Sequence, residues 1–204
     1  MKYKIYWIVG AIFVIAGTMI VGFPVLKQKR EDNIQQQMLK DWYTAFAYNI
    51  DDTQDNMQRE EAEEVSHKHT SDSDGVIAVM RIPKIDLEQP VLDRATVQNL
   101  NVSLAAIAPT GAVGEVGNFA VAGHFSRKYG RHFNRLQELE EGDEIIVDTE
   151  KTSCTYIVTG TFVVEKEDIW VLEPTTDKAE ITLVTCYYTT PKTPQRYVVK
   201  GVKK

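Results

Sequence analysis

From Ile5 to Leu26 the chain carries no charged side chain. A helix over this stretch, rising about 1.5 Å per residue, covers a hydrocarbon core about 30 Å thick. Lys2 and Lys4 precede the run, and Lys27, Lys29 and Arg30 follow it. Tyr6 and Trp7 are residue types that settle at a membrane interface. The pattern predicts a short tail over 1–4 and a single transmembrane signal anchor over 5–26. A cleaved signal peptide is the competing reading, but it calls for a shorter apolar region and a small-x-small site. No good site of that kind lies near Pro24, so the uncleaved anchor is preferred. Both flanks are basic, so charge does not set its orientation.

Charge divides the rest. Residues 31–74 hold twelve Asp/Glu against three Lys/Arg, whereas residues 75–204 hold seventeen against fifteen. The overall net charge of −6 thus belongs to one segment. No basic stripe with interleaved aromatics is present, so nucleic acid is not an expected partner. Within 27–74, Ile34, Met38, Trp42 and Phe46 recur every four residues, the spacing of one apolar helix stripe from Glu31 to about Ala47. The acidic stretch that follows has too few large apolar residues to offset the ordering of its backbone. We read 27–74 as a partly helical stalk and linker. His67 and His69 within it permit a metal site, but a solvated spacer is the preferred reading.

From Gly75 onward, short runs rich in Val, Ile, Thr, Phe and Tyr alternate with turn residues: VIAVMRI, NFAVAG, DEIIVDT, CTYIVTGTFVV, EITLVTC and RYVVKG. Such spacing predicts an all-β barrel or sandwich over 75–204, with helical turns near Val97–Leu100 and Phe133–Glu138. About 130 residues suffice for one real core.

Cys154 and Cys186 are the two cysteines. Outside the cytoplasm they could form a disulfide; the alternative is one reactive thiol. Cys154 sits inside a strand-like run, where a small buried thiol is ordinary. Cys186 ends EITLVTC, just before a Thr- and Pro-rich loop, where a side chain is both rigidly held and reachable. In a regular strand Thr182, Val184 and Cys186 share one face and Ile181, Leu183 and Thr185 the other. If RYVVKG returns antiparallel, Cys186 and Arg196 flank one hairpin mouth and can meet across strands. His124 likewise follows an apolar run, NFAVAG; periodicity alone leaves it competing with an ordinary loop histidine. His132, beside Arg131, reads as an exposed loop residue.

The segments GHFSRKYGRHFNRL, ITLVTC and RYVVKG together resemble the signature regions of sortases, and TLVTC fits that family's T-L-x-T-C pattern. IPKIDLEQPVL and GNFAVAGH resemble its opening strands. The likeness covers about 75–204. It implies a closed eight-stranded β-barrel with short helices, held outside a Gram-positive cell membrane by a single-pass N-terminal anchor. It implies a cysteine transpeptidase that cleaves an LPxTG-like C-terminal sorting signal between Thr and Gly and passes the protein to a cell-wall precursor amine of the lipid II type. Carried over residue by residue, Cys186 is the nucleophile, His124 the general acid/base and Arg196 the stabiliser of substrate and oxyanion. The loop before EITLVTC supplies Trp170, Val171, Leu172 and Pro174 as a groove for the Leu-Pro part of the signal; plugging the barrel end is an equal alternative. Thr185 is either a substrate contact or a core-facing strand residue.

Some family patterns are missing. Glu115 is the only acid from Asn101 to His124, too few oxygen ligands for calcium, so no metal or other cofactor is expected. The absence of a C-terminal apolar run and of an Asp-Pro-aromatic motif counts against a pilin-polymerising class C enzyme, although the Asp-Trp of KDWYTAF leaves a different lid open. Class A comes first, class D next. A cysteine hydrolase using water and a tethered binding module with a Cys154–Cys186 disulfide are the rival functions.

Overall fold

The computed structural model describes residues 2–51, 75–126, 128–188 and 195–204, with backbone alone at 2–6, 8–12, 14–16, 21 and 46–51. The expected acidic linker with His67 and His69 lies outside the described residues.

Alternating side chains from Val76 onward resolve into eight strands that close on themselves. They are β1 (Val76–Ile82), β2 (Leu87–Leu92), β3 (Leu104–Ala106), β4 (Gly117–Ala122), β5 (Glu144–Asp148), β6 (Ser153–Val164), β7 (Ala179–Tyr187) and β8 (Gln195–Lys203). Around the closed barrel the order is β1-β2-β3-β4-β7-β8-β6-β5. Two pairings are parallel, β2 with β3 and β4 with β7. A parallel neighbour needs a crossover. For β2 and β3 it is α2 (Val97–Val102), whose first turn is capped by Thr96 Oγ1 accepting from the Asn99 N–H at 3.1 Å. For β4 and β7 it is the long excursion through β5 and β6, which closes the far side of the barrel.

β2 and β3 are the strands that pattern reading leaves unmarked. Pro90 interrupts β2, and proline, lacking an N–H, argues against a strand. Here it sits opposite Val79 of β1 and its carbonyl accepts from Ser103 Oγ at 2.5 Å.

The barrel interior holds Met80, Ile82, Phe133, Ile145, Tyr156, Ile181 and Leu183, all fully buried. Each such aliphatic or aromatic side chain contributes roughly 1.5–3 kcal/mol through removal from water. Tyr156 is satisfied in this interior because its hydroxyl accepts from the Gly114 N–H at 2.7 Å.

Lys2–Asp51 form one helix, α1, with Pro24 inside it. Its Glu31–Trp42 portion lies on the barrel rather than standing off as a spacer. Ile34 and Met38 are half-buried and Trp42 is buried, so these three members of the stripe face protein. Gln35 Nε2 donates to Ser103 Oγ at 3.3 Å, and the Tyr43 hydroxyl donates to Glu88 Oε1 at 2.5 Å. Among the described residues no helix is long and apolar enough to cross a membrane; many side chains of the 5–26 run lie outside that description.

Candidate active site

β4 and β7 run side by side, with Gly117 to Ala122 in register with Ala179 to Val184. The ladder continues past the end of β4, where the Gly123 N–H donates to the Val184 carbonyl at 3.1 Å. Followed along this register, His124 arrives beside Cys186. On the other side of β7, antiparallel β8 places Arg196 directly opposite Cys186. Cys186 therefore stands on the middle strand of three, with an imidazole-bearing residue on one flank and a guanidinium-bearing residue on the other.

Facing follows from the two-residue alternation of strands. Phe119, Val121, Ile181, Leu183 and Val199 point into the core. Their alternates, Ala122 and then His124 on β4 and its extension, Val184 and Cys186 on β7, and Arg196 and Val198 on β8, share the outer face. His124 is exposed, and Cys186 and Arg196 are half-buried. With neighbouring strands about 4.8 Å apart, this is a row in which three side chains can converge on one substrate atom. A thiol attacks as the thiolate, which nearby cations favour.

The backbone under His124 is fixed from several sides. Thr185 is 2% exposed and turned inward. Its hydroxyl donates to the Gly123 carbonyl at 2.8 Å, which places it behind the site. Phe133 N–H donates to the His124 carbonyl at 3.2 Å. A Cβ on Gly123 would come within 2.6 Å of the Phe133 ring and 2.7 Å of Leu104, so any larger residue before this histidine must displace those side chains.

Both cysteines are free. Val147 on β5 faces Cys154 at the start of β6. β6 and β8 pair from Val164 opposite Arg196 to Tyr156 opposite Lys203. Cys154 thus lies at the Lys203 end and Cys186 at the Arg196 end, roughly 30 Å apart at about 3.3 Å per strand residue. A disulfide needs Cα atoms within about 7 Å, so the bridged reading fails on geometry.

The sortase-domain family model matches residues 80–204. Over 205 residues the sequence is 30% identical to Sortase A of Bacillus anthracis, covering 98% of this chain and 95% of that one. The chain belongs to the sortase family. Among solved structures the fold matches a Clostridium perfringens Sortase D5 transpeptidase, with TM-score 0.66 and 24% identity over 85% of this chain and 99% of the other. Listeria monocytogenes sortase A matches with TM-score 0.58 and 27% identity, over 63% and 87% of the two chains. Sortases are cysteine transpeptidases, so the protein is an enzyme that transfers an acyl group from a peptide to an amine.

The 3₁₀ turn Ile169–Leu172 of this sortase is tied to the same outer face. Asn118 Nδ2 donates to the Val171 and Glu173 carbonyls at 3.1 and 3.3 Å, and Thr182 Oγ1 donates to Asn118 Oδ1 at 2.7 Å. Val171 packs with Val164 and Val198, with Leu172 and Val184 alongside. Trp170 is half-exposed and meets Phe162 edge-on at 5.8 Å, while Pro174 is exposed. An apolar floor under a pinned turn therefore adjoins the row of three. Asn118 escaped the sequence reading, and Thr182 was placed on the Cys186 face but given no role there.

The exposed-loop reading of His132 is wrong. It is 3% exposed, adopts φ of 50°, and its Nδ1 lies 3.1 Å from Gln89 Oε1. Burial first, then the charges of Arg131 and His124, push its pKa down to about 4, so it stays neutral at neutral pH. Its ring stands 6.5 Å from that of His124. The signal was local: an aromatic pair, His132-Phe133, at the close of a loop that must turn back onto the barrel.

A cavity of about 460 Å³ opens at the opposite barrel end, among Ile77, Ala106, Pro109, Val113 and Phe119. Its lining includes neither cysteine nor histidine, so size alone does not make it the reactive site.

Proposed function

We propose that this sortase cleaves an LPxTG-like sorting signal between Thr and Gly, with Cys186 as nucleophile, His124 as acid and base, and Arg196 as electrostatic partner. The observation that carries the reading is the cross-strand row His124, Cys186, Arg196 on one outer face of β4, β7 and β8. The Cys186 thiolate attacks the Thr carbonyl carbon. As the Thr–Gly C–N bond breaks, protonated His124 gives its proton to the departing glycine nitrogen. The thioester is then attacked by an amine of a cell-wall precursor of the lipid II type. Its carbon–sulfur bond breaks, the thiolate returns, and neutral His124 takes the amine proton. Arg196 stabilises the oxyanion of each tetrahedral intermediate, a contribution whose loss costs about 10²–10³ in rate. No step calls for a metal or cofactor.

The Leu-Pro portion of the signal would lie on the apolar floor of Val184 and Val198, against Trp170, Leu172 and Pro174, with Val171 holding the turn from beneath. Thr185 supports the His124 peptide from the core side. Class A is the preferred assignment, supported by the Sortase A relative that spans nearly the whole chain. The 5–26 run serves as a single-pass membrane anchor with the barrel outside the cell. Supporting this, Phe13, Met19, Ile20, Phe23, Val25 and Leu26 project from α1 without protein cover, an arrangement unfavourable in water and suited to lipid.

The test is incubation of the enzyme with a Leu-Pro-x-Thr-Gly peptide and an added amine. The expected products are a new amide at Thr and, when the amine is withheld, a Cys186 thioester visible by intact mass. Cys186→Ala should retain the fold and form neither. Hydrolysed peptide alone, even at high amine concentration, would show water to be the acceptor.

A further inference from the structure

Between His124 and the 3₁₀ turn Leu136–Glu138 the chain loops out beside the catalytic row, and this loop meets α1 through Lys128 and, more deeply, through Arg131. Its side chain is only 11% exposed. Nη2 donates to Glu31 Oε2 at 3.0 Å and to the Asn101 carbonyl at 3.2 Å, while Nε lies 3.3 Å from Asp32 Oδ1. Three residues earlier, Lys128 Nζ reaches Asp32 Oδ2 at 2.8 Å. One residue later, His132 is buried against Gln89 of β2. Backbone contacts carry this anchorage to the reactive row: Phe125 bridges to His132, and the Phe133 N–H holds the His124 carbonyl.

A guanidinium removed from water is stable only when paired, and losing its partners leaves a buried charge uncompensated. Among the described residues, the ion-pair partners of Arg131 are Glu31 and Asp32, both on α1. Without them it keeps one carbonyl and must swing out to water, dragging the neighbouring His132 and the strand-like contact through Phe125.

We propose that α1 is a working part of the catalytic unit: Glu31 and Asp32 hold Arg131, and Arg131 with His132 sets where the His124 imidazole stands against Cys186. This rests on the reading of His124 as the acid and base. Glu31, Asp32, Arg131 and His132 are positioning residues, since each acts through the loop. The stalk thereby couples the attachment of the chain to the competence of its site.

The experiment uses the full chain in detergent, as wild type and as Glu31→Gln/Asp32→Asn. Two readings are taken: steady-state transfer of a sorting peptide, and the pH dependence of Cys186 alkylation by iodoacetamide, which senses the imidazole beside the sulfur without any substrate. The double variant should lose about ten- to a hundredfold in kcat, the cost of a displacement of about 1 Å at a reacting group. KM should stay within about twofold, because the peptide floor is untouched. The alkylation profile should lose the wild-type step that His124→Ala also removes. Wild-type kcat with a wild-type alkylation profile would overturn the proposal. Should the double variant fail to fold, Arg131→Lys decides, keeping the charge but not the fork: a partial loss of kcat with a displaced alkylation step supports the clamp, and wild-type behaviour refutes it. Failure of the wild type to turn over peptide while its alkylation step persists would count against the assigned substrate and leave the clamp standing.

Discussion

Replacing Thr185 with Val removes one buried hydroxyl and nearly nothing else. The residue is 2% exposed, and its hydroxyl donates to the Gly123 carbonyl at 2.8 Å, one peptide before His124. Valine fills the same volume but leaves that carbonyl with one partner fewer in a place water does not reach. An acceptor stranded in this way costs about 1–3 kcal/mol. For a domain of this size that lowers the thermal midpoint by roughly 4–11 °C. The same peptide orients His124, so the variant should also lose about tenfold in kcat with KM nearly unchanged, the pattern of an interaction felt at the reacting groups and not in peptide binding. Thr185→Ser keeps the donor and serves as control. Both variants are assayed by thermal melt and by peptide transfer across a range of peptide concentrations. A Val variant as active as the Ser variant would refute the argument that this hydroxyl steadies the histidine. A rise in KM at constant kcat would return Thr185 to the substrate-contact role.

Further outcomes follow from the same geometry. Alkylation of the native protein without reductant should modify Cys186 rapidly and Cys154 only after unfolding, and Cys154→Ala should keep most activity; one slow, equal rate for both thiols would contradict their placement. His132, with its pKa lowered to about 4 in the fold against about 6.5 unfolded, binds fewer protons native than unfolded in that window. Stability should therefore fall by up to about 3 kcal/mol as pH drops from 6.5 toward 4, as read from urea midpoints, and His132→Gln should flatten that dependence. Gly123→Ala forces a methyl into Phe133 and Leu104, so it should cost about 1–3 kcal/mol and reduce transfer; a variant with wild-type melting and activity would show that this corner yields.

Much of the barrel was legible because its strands obey a single rule. VIAVMRI, DEIIVDT, CTYIVTGTFVV and EITLVTC each became a strand with ends within a residue of those expected, since each is a short run rich in β-branched and apolar residues. β2 was harder because Pro90 breaks the run, and β3 because three residues, Leu104–Ala106, hold no period at all. The hairpin pairing of Cys186 with Arg196 could be anticipated from loop length. The neighbour on the other side could not, because the parallel pairing of β4 with β7 spans some sixty residues and is fixed only by how the barrel closes. His132 was misjudged for a related reason: a loop rich in charge reads as solvated, and nothing local announces that two acids a hundred positions earlier will hold its neighbour Arg131.

Why the row should survive thermal motion follows from what lies beneath it. In a strand, a slip of one residue turns every side chain to the opposite face. For β7 a slip would drive Cys186 into the barrel and expel Ile181 and Leu183, both fully buried, at several kcal/mol by the usual cost of exposing aliphatic side chains. Val199 enforces the same choice on β8, and Phe119 and Val121 on β4. Further constraints come from opposite sides: the Thr185 hydroxyl from within, and Asn118 with Thr182 from without, where they hold the Val171 turn. The Cys186 thiol therefore needs no dedicated scaffold. Its position is a by-product of the core, and the freedom left to the site lies in the His124 loop, where the ion pairs of Arg131 with α1 add to the barrel contacts of His132 and Thr185.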